Sequence, residues 1–232
     1  EYGFPASIRS FFAPEMTHLL PGGQGREMLH SPVKIVVETA AEKVHAWQGE
    51  RAKIVEQAEG AAAWAFTGTA LSGKLKMELY ARMEFDGCIE YEVKIKSLET
   101  LKIEDIRMHI PVAGAVAKYM MGMGYKGGRC PDRFAWQWNR KNNQDSVWIG
   151  DVNAGLQCSF KDERYIRPLN TNFYLSKPLV MPASWYNDGK GGCRMEKNST
   201  GALLIDTYSG PRIIKKDEEL YFNFRLLLTP FK

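Results

Sequence analysis

The sequence predicts an all-β chain, an antiparallel β-sandwich with one short helix. Three observations carry this. Apolar and polar residues alternate through Leu75 to Ile95, the period of half-buried strands. A dozen or more such runs recur with Gly, Asn, Asp or Pro turn signals about every ten residues, the rhythm of a sandwich. Only Ala113 to Met121, rich in Ala and with Val116 its only β-branched residue, reads as helical.

In chain order, Tyr2 to Phe12 is an apolar run broken by Pro5, which suits an edge strand. A glycine loop follows at Gly22 to Gly25. Val33 to Val37, Arg51 to Gln57 and Ala61 to Thr69 read as three strands. Leu75, Met77, Leu79, Ala81, Met83 and Phe85 then share one face, and Asp86-Gly87 marks a hairpin turn. The returning strand turns Ile89, Tyr91, Val93 and Ile95 inward and leaves Glu90, Glu92, Lys94 and Lys96 on a solvent face. From Leu101 to Ile110 the phase slips near Glu104-Asp105, as a β-bulge would cause. Beyond the central region, Arg164 to Leu175 and Pro178 to Ser184 are extended and Pro-punctuated. Strands follow at Cys193 to Lys197 and Ala202 to Tyr208, then a charged connection at Pro211 to Glu218. A last strand alternates Leu220, Phe222, Phe224, Leu226 and Leu228. No internal repeat or linker-like tract divides the 232 residues, so residues 1–232 read as one domain.

Composition narrows the function. Apolar residues make up 44% of the chain, enough for a substantial core. The net charge of +4 comes from interspersed rather than blocked residues, and no basic stripe interleaves with aromatics, so nucleic acid is not an expected partner. No apolar run reaches membrane-spanning length. Beginning at Glu1 without a signal peptide, the chain reads as a piece of a longer or processed protein. Cys88, Cys130, Cys158 and Cys193 have no CxxC spacing, which argues against zinc; Cys158 reads as a buried thiol, and a Cys130–Cys193 disulfide is left open. His18, His30, His45 and His109 are isolated, and the Asp151–Asn153 and Asn187–Asp188 turns read as Asx turns rather than calcium loops. No metal or cofactor is expected.

The region from Met121 to Phe160 concentrates the candidate chemistry, with three of the six tryptophans. Sugars offer C–H faces to aromatic rings and hydroxyls to Asp, Asn or Arg. Trp136, Trp138, Trp148, Trp185 and Tyr186, with Arg129, Asp132, Asp151, Asn153 and Asp188, are therefore the candidate ligand-binding set. The competing reading places Phe134, Trp136 and Trp138 in the core, since an inner sheet face needs such mass. Trp185-Tyr186, beside a glycine-rich turn, is the better candidate for an exposed pair. No nucleophile elbow is present, and Asp145 and Asp151 lie six extended residues apart, roughly 20 Å, too far to work as a hydrolytic pair. No catalytic residue is assigned.

The phrases Tyr119-Met-Met-Gly-Met-Gly-Tyr-Lys-Gly-Gly128, Val147-Trp-Ile-Gly-Asp-Val-Asn-Ala-Gly-Leu156 and Phe222-Asn-Phe-Arg-Leu-Leu-Leu-Thr-Pro-Phe-Lys232 together resemble the β-sandwich domain that precedes the barrel in large bacterial glycoside-hydrolase-like proteins. The nearest named relatives are glycoside hydrolase family 123 and uncharacterised neighbouring families. The resemblance implies a noncatalytic module of an exported protein, extracellular or periplasmic, whose partners are a downstream catalytic barrel of the same chain and a glycan. It also implies that Trp148, Gly150, Asp151, Asn153 and Gly155 form a structural hairpin. Two alternatives stay open: a self-contained carbohydrate-active enzyme with carboxylates on the sandwich face, and a stand-alone binding module.

Overall fold

The computed structural model describes residues 3–10, 26–49, 51–139, 145–165 and 181–229. The expected loop at 22–25, the two ends of the first edge strand (Tyr2, Phe11 and Phe12), the turn at 140–144, the extended run through 166–180 and the closing phrase at 230–232 lie outside them.

Two antiparallel sheets stack face to face. The smaller has six strands in the order β14 (Arg133–Gln137), β17 (Gly192–Lys197), β18 (Leu203–Tyr208), β11 (Asp105–Val112), β3 (Lys34–Glu38) and β4 (Lys43–Val44). The larger has eleven. Its path runs β13 (Tyr125–Arg129), β12 (Tyr119–Gly122), β15 (Ser146–Gly150), β16 (Gly155–Phe160), β21 (Phe224–Thr229), β9 (Cys88–Ser97), β8 (Leu75–Glu84), β7 (Ala61–Ala70) and β5 (Gln48–Gly49). Off this path, β6 (Lys53–Ala58) pairs with β7 and β20 (Glu219–Tyr221) with β9. Two small ribbons join β1 (Arg9–Ser10) to β2 (Arg26–Glu27), and β10 (Leu101–Ile103) to β19 (Arg212–Ile214).

The β8–β9 hairpin forms as its alternation requires. Leu79 faces Val93 and Ala81 faces Tyr91, all buried, while Glu78 faces Lys94 on the other side, 2.8 Å apart as an ion pair. Gly87 supplies the positive φ of the turn, and the Asp86 carboxylate accepts the Cys88 N–H at 2.9 Å. The alternation outruns the core, however: Met83 is 40% and Phe85 82% exposed.

Elsewhere the fold departs from the pattern. The phase slip at Glu104 is a change of sheet, not a bulge: β10 pairs with β19, and β11 enters the small sheet between β3 and β18. Asp105 fixes the crossing by accepting the N–H groups of Ser209 and Gly210 at 3.0 and 2.8 Å. Ala113 to Met121 is not helical. Residues 114–118 form tight turns that carry the chain from β11 in one sheet to β12 in the other. Gly114 packs so closely on the Gly201 backbone that an added Cβ would lie 2.7 Å from it. With so few residues between two strands, no longer helix has room. The short helix of the described chain is α1 (Ala183–Tyr186), followed by a 3-10 turn at Asn187–Gly189. The charged connection contains β19, and the last expected strand divides at Phe222–Asn223 into β20 and β21.

Candidate functional site

The ten candidate residues separate into four places. Three are core. Trp136 and Trp138 are buried at 8% and 6% exposure, and Trp185 at 0%. An aromatic chain links them: Trp138 meets Phe160 at 5.8 Å, Phe160 meets Trp185 at 5.0 Å, and Trp185 meets Phe222 at 4.9 Å. The expected exposure of Trp185 is thereby corrected. Its indole fills the space between the sheets and donates Nε1–H to the Asn223 carbonyl at 2.9 Å, which satisfies the group it would otherwise bury unpaired.

Arg129 and Asp132 stand at a rim. They border a hollow of about 340 Å³ with Lys118 and Lys197, and Lys197 reaches both the Asp132 carboxylate at 3.4 Å and the Cys130 carbonyl at 2.7 Å.

Trp148, Asp151 and Asn153 form the third place, on the outer face of the large sheet. Register sets Trp148 beside Met121 and Gln157, with Gly150 and Gly155 next along. The indole lies across those two glycines. A Cβ on Gly155 would stand 2.6 Å from Trp148 Cε2, so only glycine leaves room for the ring to lie flat. Tyr119 and Met121 flank it, 42% and 55% exposed. Asp151, by contrast, is occupied: one carboxylate oxygen caps the Asn153 and Ala154 N–H groups at 2.8 and 2.9 Å, and the other pairs with Arg26. The Asx-turn reading of this loop stands.

Tyr186 and Asp188 occupy the fourth. They line a hollow of about 570 Å³ with Arg212, Glu163, Glu218 and Tyr221. Glu163 and Tyr221 also line a second hollow of about 570 Å³, floored by β7, β8 and β9 and walled by Tyr80, Glu92, Lys94, Arg164 and Tyr165. This is the face that alternation assigns to solvent. The sequence reading missed these residues because a polar strand face looks the same whether it is bare or roofed; the roof is residues 163–165, distant in sequence. Tyr165 anchors that segment, its hydroxyl donating to the Phe224 carbonyl at 2.8 Å and accepting the Tyr91 N–H at 3.1 Å.

The electrostatics of the outer face are those of paired charges. Hydrogen bonds from Lys76, then Lys94, pull Glu78 down to about 2. Glu90 pairs with Arg225, and Glu219 accepts from the Tyr221 hydroxyl at 2.7 Å. Asp105, whose carboxyl burial pushes upward, belongs to the other sheet and serves as the Ser209–Gly210 cap. Among the described residues no group of three or more His, Cys, Asp or Glu is arranged to hold a metal ion.

The family model for glycoside hydrolase 123, third domain, matches residues 1–230. The chain belongs to this family. No curated protein matches it in sequence. Among solved structures it is similar to a GH36 α-galactosidase of Geobacillus stearothermophilus in complex with stachyose, with a TM-score of 0.53 at 12% identity over 87% of this chain and 30% of that one. It is similar also to the α-galactosidase of Lactobacillus brevis, with TM-score 0.53, 11% identity, and 97% of this chain on 33% of that one. A GalM/aldose epimerase homologue from C. elegans aligns over 100% of this chain and 94% of its own, with TM-score 0.51 and 7% identity. At such identities the likeness is one of fold. The glycoside hydrolase 123 third domain thus spans about a third of each galactosidase, and no helix among its described residues is long and apolar enough to cross a membrane.

Proposed function

We propose that this domain is a noncatalytic module of an exported bacterial glycoside hydrolase, supporting a downstream catalytic barrel and contacting glycan with the outer face of its large sheet. The observation that carries the reading is the pairing of three acids on and beside that face, Glu78, Glu90 and Asp151. Glycoside hydrolysis needs a carboxylic acid whose pKa is raised, opposite a second carboxylate. Glu78 is instead driven down by two lysines, while Glu90 and Asp151 are bound to arginines. What remains suits binding: the Trp148 platform, and the hollow in which Tyr80, Tyr221, Glu92 and Arg164 surround a space of about 570 Å³. Three strand spacings across and four residues along separate Trp148 from Glu92, about 14 Å by 13 Å. An oligosaccharide lying across the sheet would touch both.

Calorimetry of the chain with a panel of oligosaccharides tests this. Binding that falls about twofold to tenfold in Trp148→Ala and in Tyr221→Ala is the expected result, a stacked ring contributing about 0.5–1.5 kcal/mol. Hydrolysis of any glycan by the chain alone, lost in Asp132→Asn or Asp151→Asn, would overturn the noncatalytic role.

A further inference from the structure

The large sheet has an apolar overhang. Along β8 one face carries Leu75, Met77, Leu79 and Ala81, at 0–2% exposure, and then Met83 at 40%, with Phe85 beyond the strand end at 82%. The same face continues sideways. Ala81 pairs with Trp64 on β7, and Trp64 with Ile54 on β6, where exposure reaches 70%. Trp64 is in edge contact with Tyr91 at 6.1 Å, so this strip is the core's own face continued past the end of the smaller sheet. Eleven strands lie against six; residues around Gly3 cover part of the surplus, where Trp64 Nε1 donates to the Gly3 carbonyl at 2.7 Å, and Ile54, Met83 and Phe85 stay exposed.

We propose that this overhang, centred on Ile54, Met83 and Phe85, seats an adjoining domain of the same polypeptide. Contiguous exposed apolar surface of this kind marks an interface rather than a solvated face. A second copy of the chain adding to the free edge of β6 is opposed by Lys53, Glu56 and Gln57 along it, since charged and polar residues guard sheet edges. Those charges belong to the opposite side: Lys53 pairs through Ala65 to Tyr80, and Glu56 through Ala63 to Arg82. The sheet therefore offers its polar face to the hollow and its apolar face to a partner. Membership in a third-domain family supplies that partner, because such a domain has neighbours in its own chain. The inference rests on the multidomain part of the proposed function and is independent of glycan contact.

The test is hydroxyl-radical footprinting of the full-length gene product at a concentration where light scattering shows a monomer. Met83 and Phe85 are expected to be protected about tenfold relative to the unfolded chain, the scale that separates covered from open sites. Replacing Ile54→Asp with Phe85→Asp should remove that protection and speed protease cleavage between domains about tenfold, with the melting of the sandwich unchanged. Leu98→Asp, at another exposed apolar position (45%), should do neither. Three results would overturn the proposal: Phe85 as reactive in the intact protein as when unfolded, protection that vanishes on dilution because it came from a second copy, or a gene product with no further domain. The mass of the product reads the multidomain reading, and the footprint reads the surface, so the two fail separately.

Discussion

Trp148 Nε1 donates a 2.9 Å hydrogen bond to Thr229 Oγ1, which ties the indole on β15 to the last residue of β21, two strands away. The ring is thus held at both ends, by Thr229 on one side and by the bare backbone of Gly150 and Gly155 beneath. A rigid aromatic surface loses little entropy when a ligand stacks on it.

Gly155→Ala should therefore tilt the indole and lower stability by about 1–3 kcal/mol, the cost of overpacking. Thr229→Val should leave the ring in place but loosen it, at about 1 kcal/mol. Urea unfolding reads the first. The near-ultraviolet circular dichroism of Trp148, by difference from Trp148→Phe, reads the second.

Trp185→Ala should cost about 3–5 kcal/mol by leaving a cavity between the sheets, and it would also strand the Asn223 carbonyl. Any glycan affinity should fall only in proportion to the unfolded fraction. A variant that keeps its melting temperature yet loses binding would return Trp185 to a ligand site.

Much of the fold was legible because period-two alternation reports which face is buried, and the β8–β9 hairpin follows from that alone. Alternation does not report what lies opposite. Met83 and Phe85 have the same pattern as Leu75 and Met77, yet they are 40% and 82% exposed while the other two are fully buried. The same blindness made Tyr80 and Glu92 look like ordinary solvent residues, since their roof at 163–165 arrives from far along the chain. Trp185 beside a glycine turn looked exposed because turn chemistry describes backbone, not the cavity into which the side chain folds. Asp151 was legible as an Asx turn because its partners are two and three residues away.

Glu78 gives a pH dependence with a definite sign. Its carboxyl titrates at about 2 when folded, against 4.5 for the free group, because Lys76 and Lys94 both donate to the charged form. The stabilisation is present above about 4.5 and is lost as pH falls from about 4.5 toward 2. The side chain is 41% exposed, so solvent screening limits the effect to about 1 kcal/mol or less. Stability measured by urea across this window should fall less steeply for Glu78→Gln than for the parent. Equal slopes would show that the lysines do not act on Glu78 in solution.

Asn223 repairs the break between β20 and β21. Its Oδ1 accepts the Val93 N–H at 2.8 Å and its Nδ2 donates to the Asp162 carbonyl at 2.9 Å, both buried. The side chain thus replaces a missing rung of the sheet. Asn223→Leu keeps the volume but orphans both backbone groups, so a loss of about 2–6 kcal/mol is expected in urea unfolding. A loss below about 1 kcal/mol would mean that water reaches the break.

The four cysteines are free in the structure, and their burial predicts their reactivity. Cys130 and Cys193 do not form the disulfide left open by their spacing. Cys193 faces Trp136 across β14 and β17 with its sulfur near the Thr207 hydroxyl, and burial pushes its thiol up to about 12. Cys158 and Cys130 are also buried and raised, and Cys88 is raised but half-buried. The thiolate is the reactive form. An aromatic disulfide reagent at pH 8 should therefore titrate at most one thiol in the folded protein, at Cys88, and four once the chain is unfolded. Two thiols on unfolding without reductant would reveal a disulfide, and rapid reaction of more than one in the folded state would mean that the sheets part more readily than their packing implies.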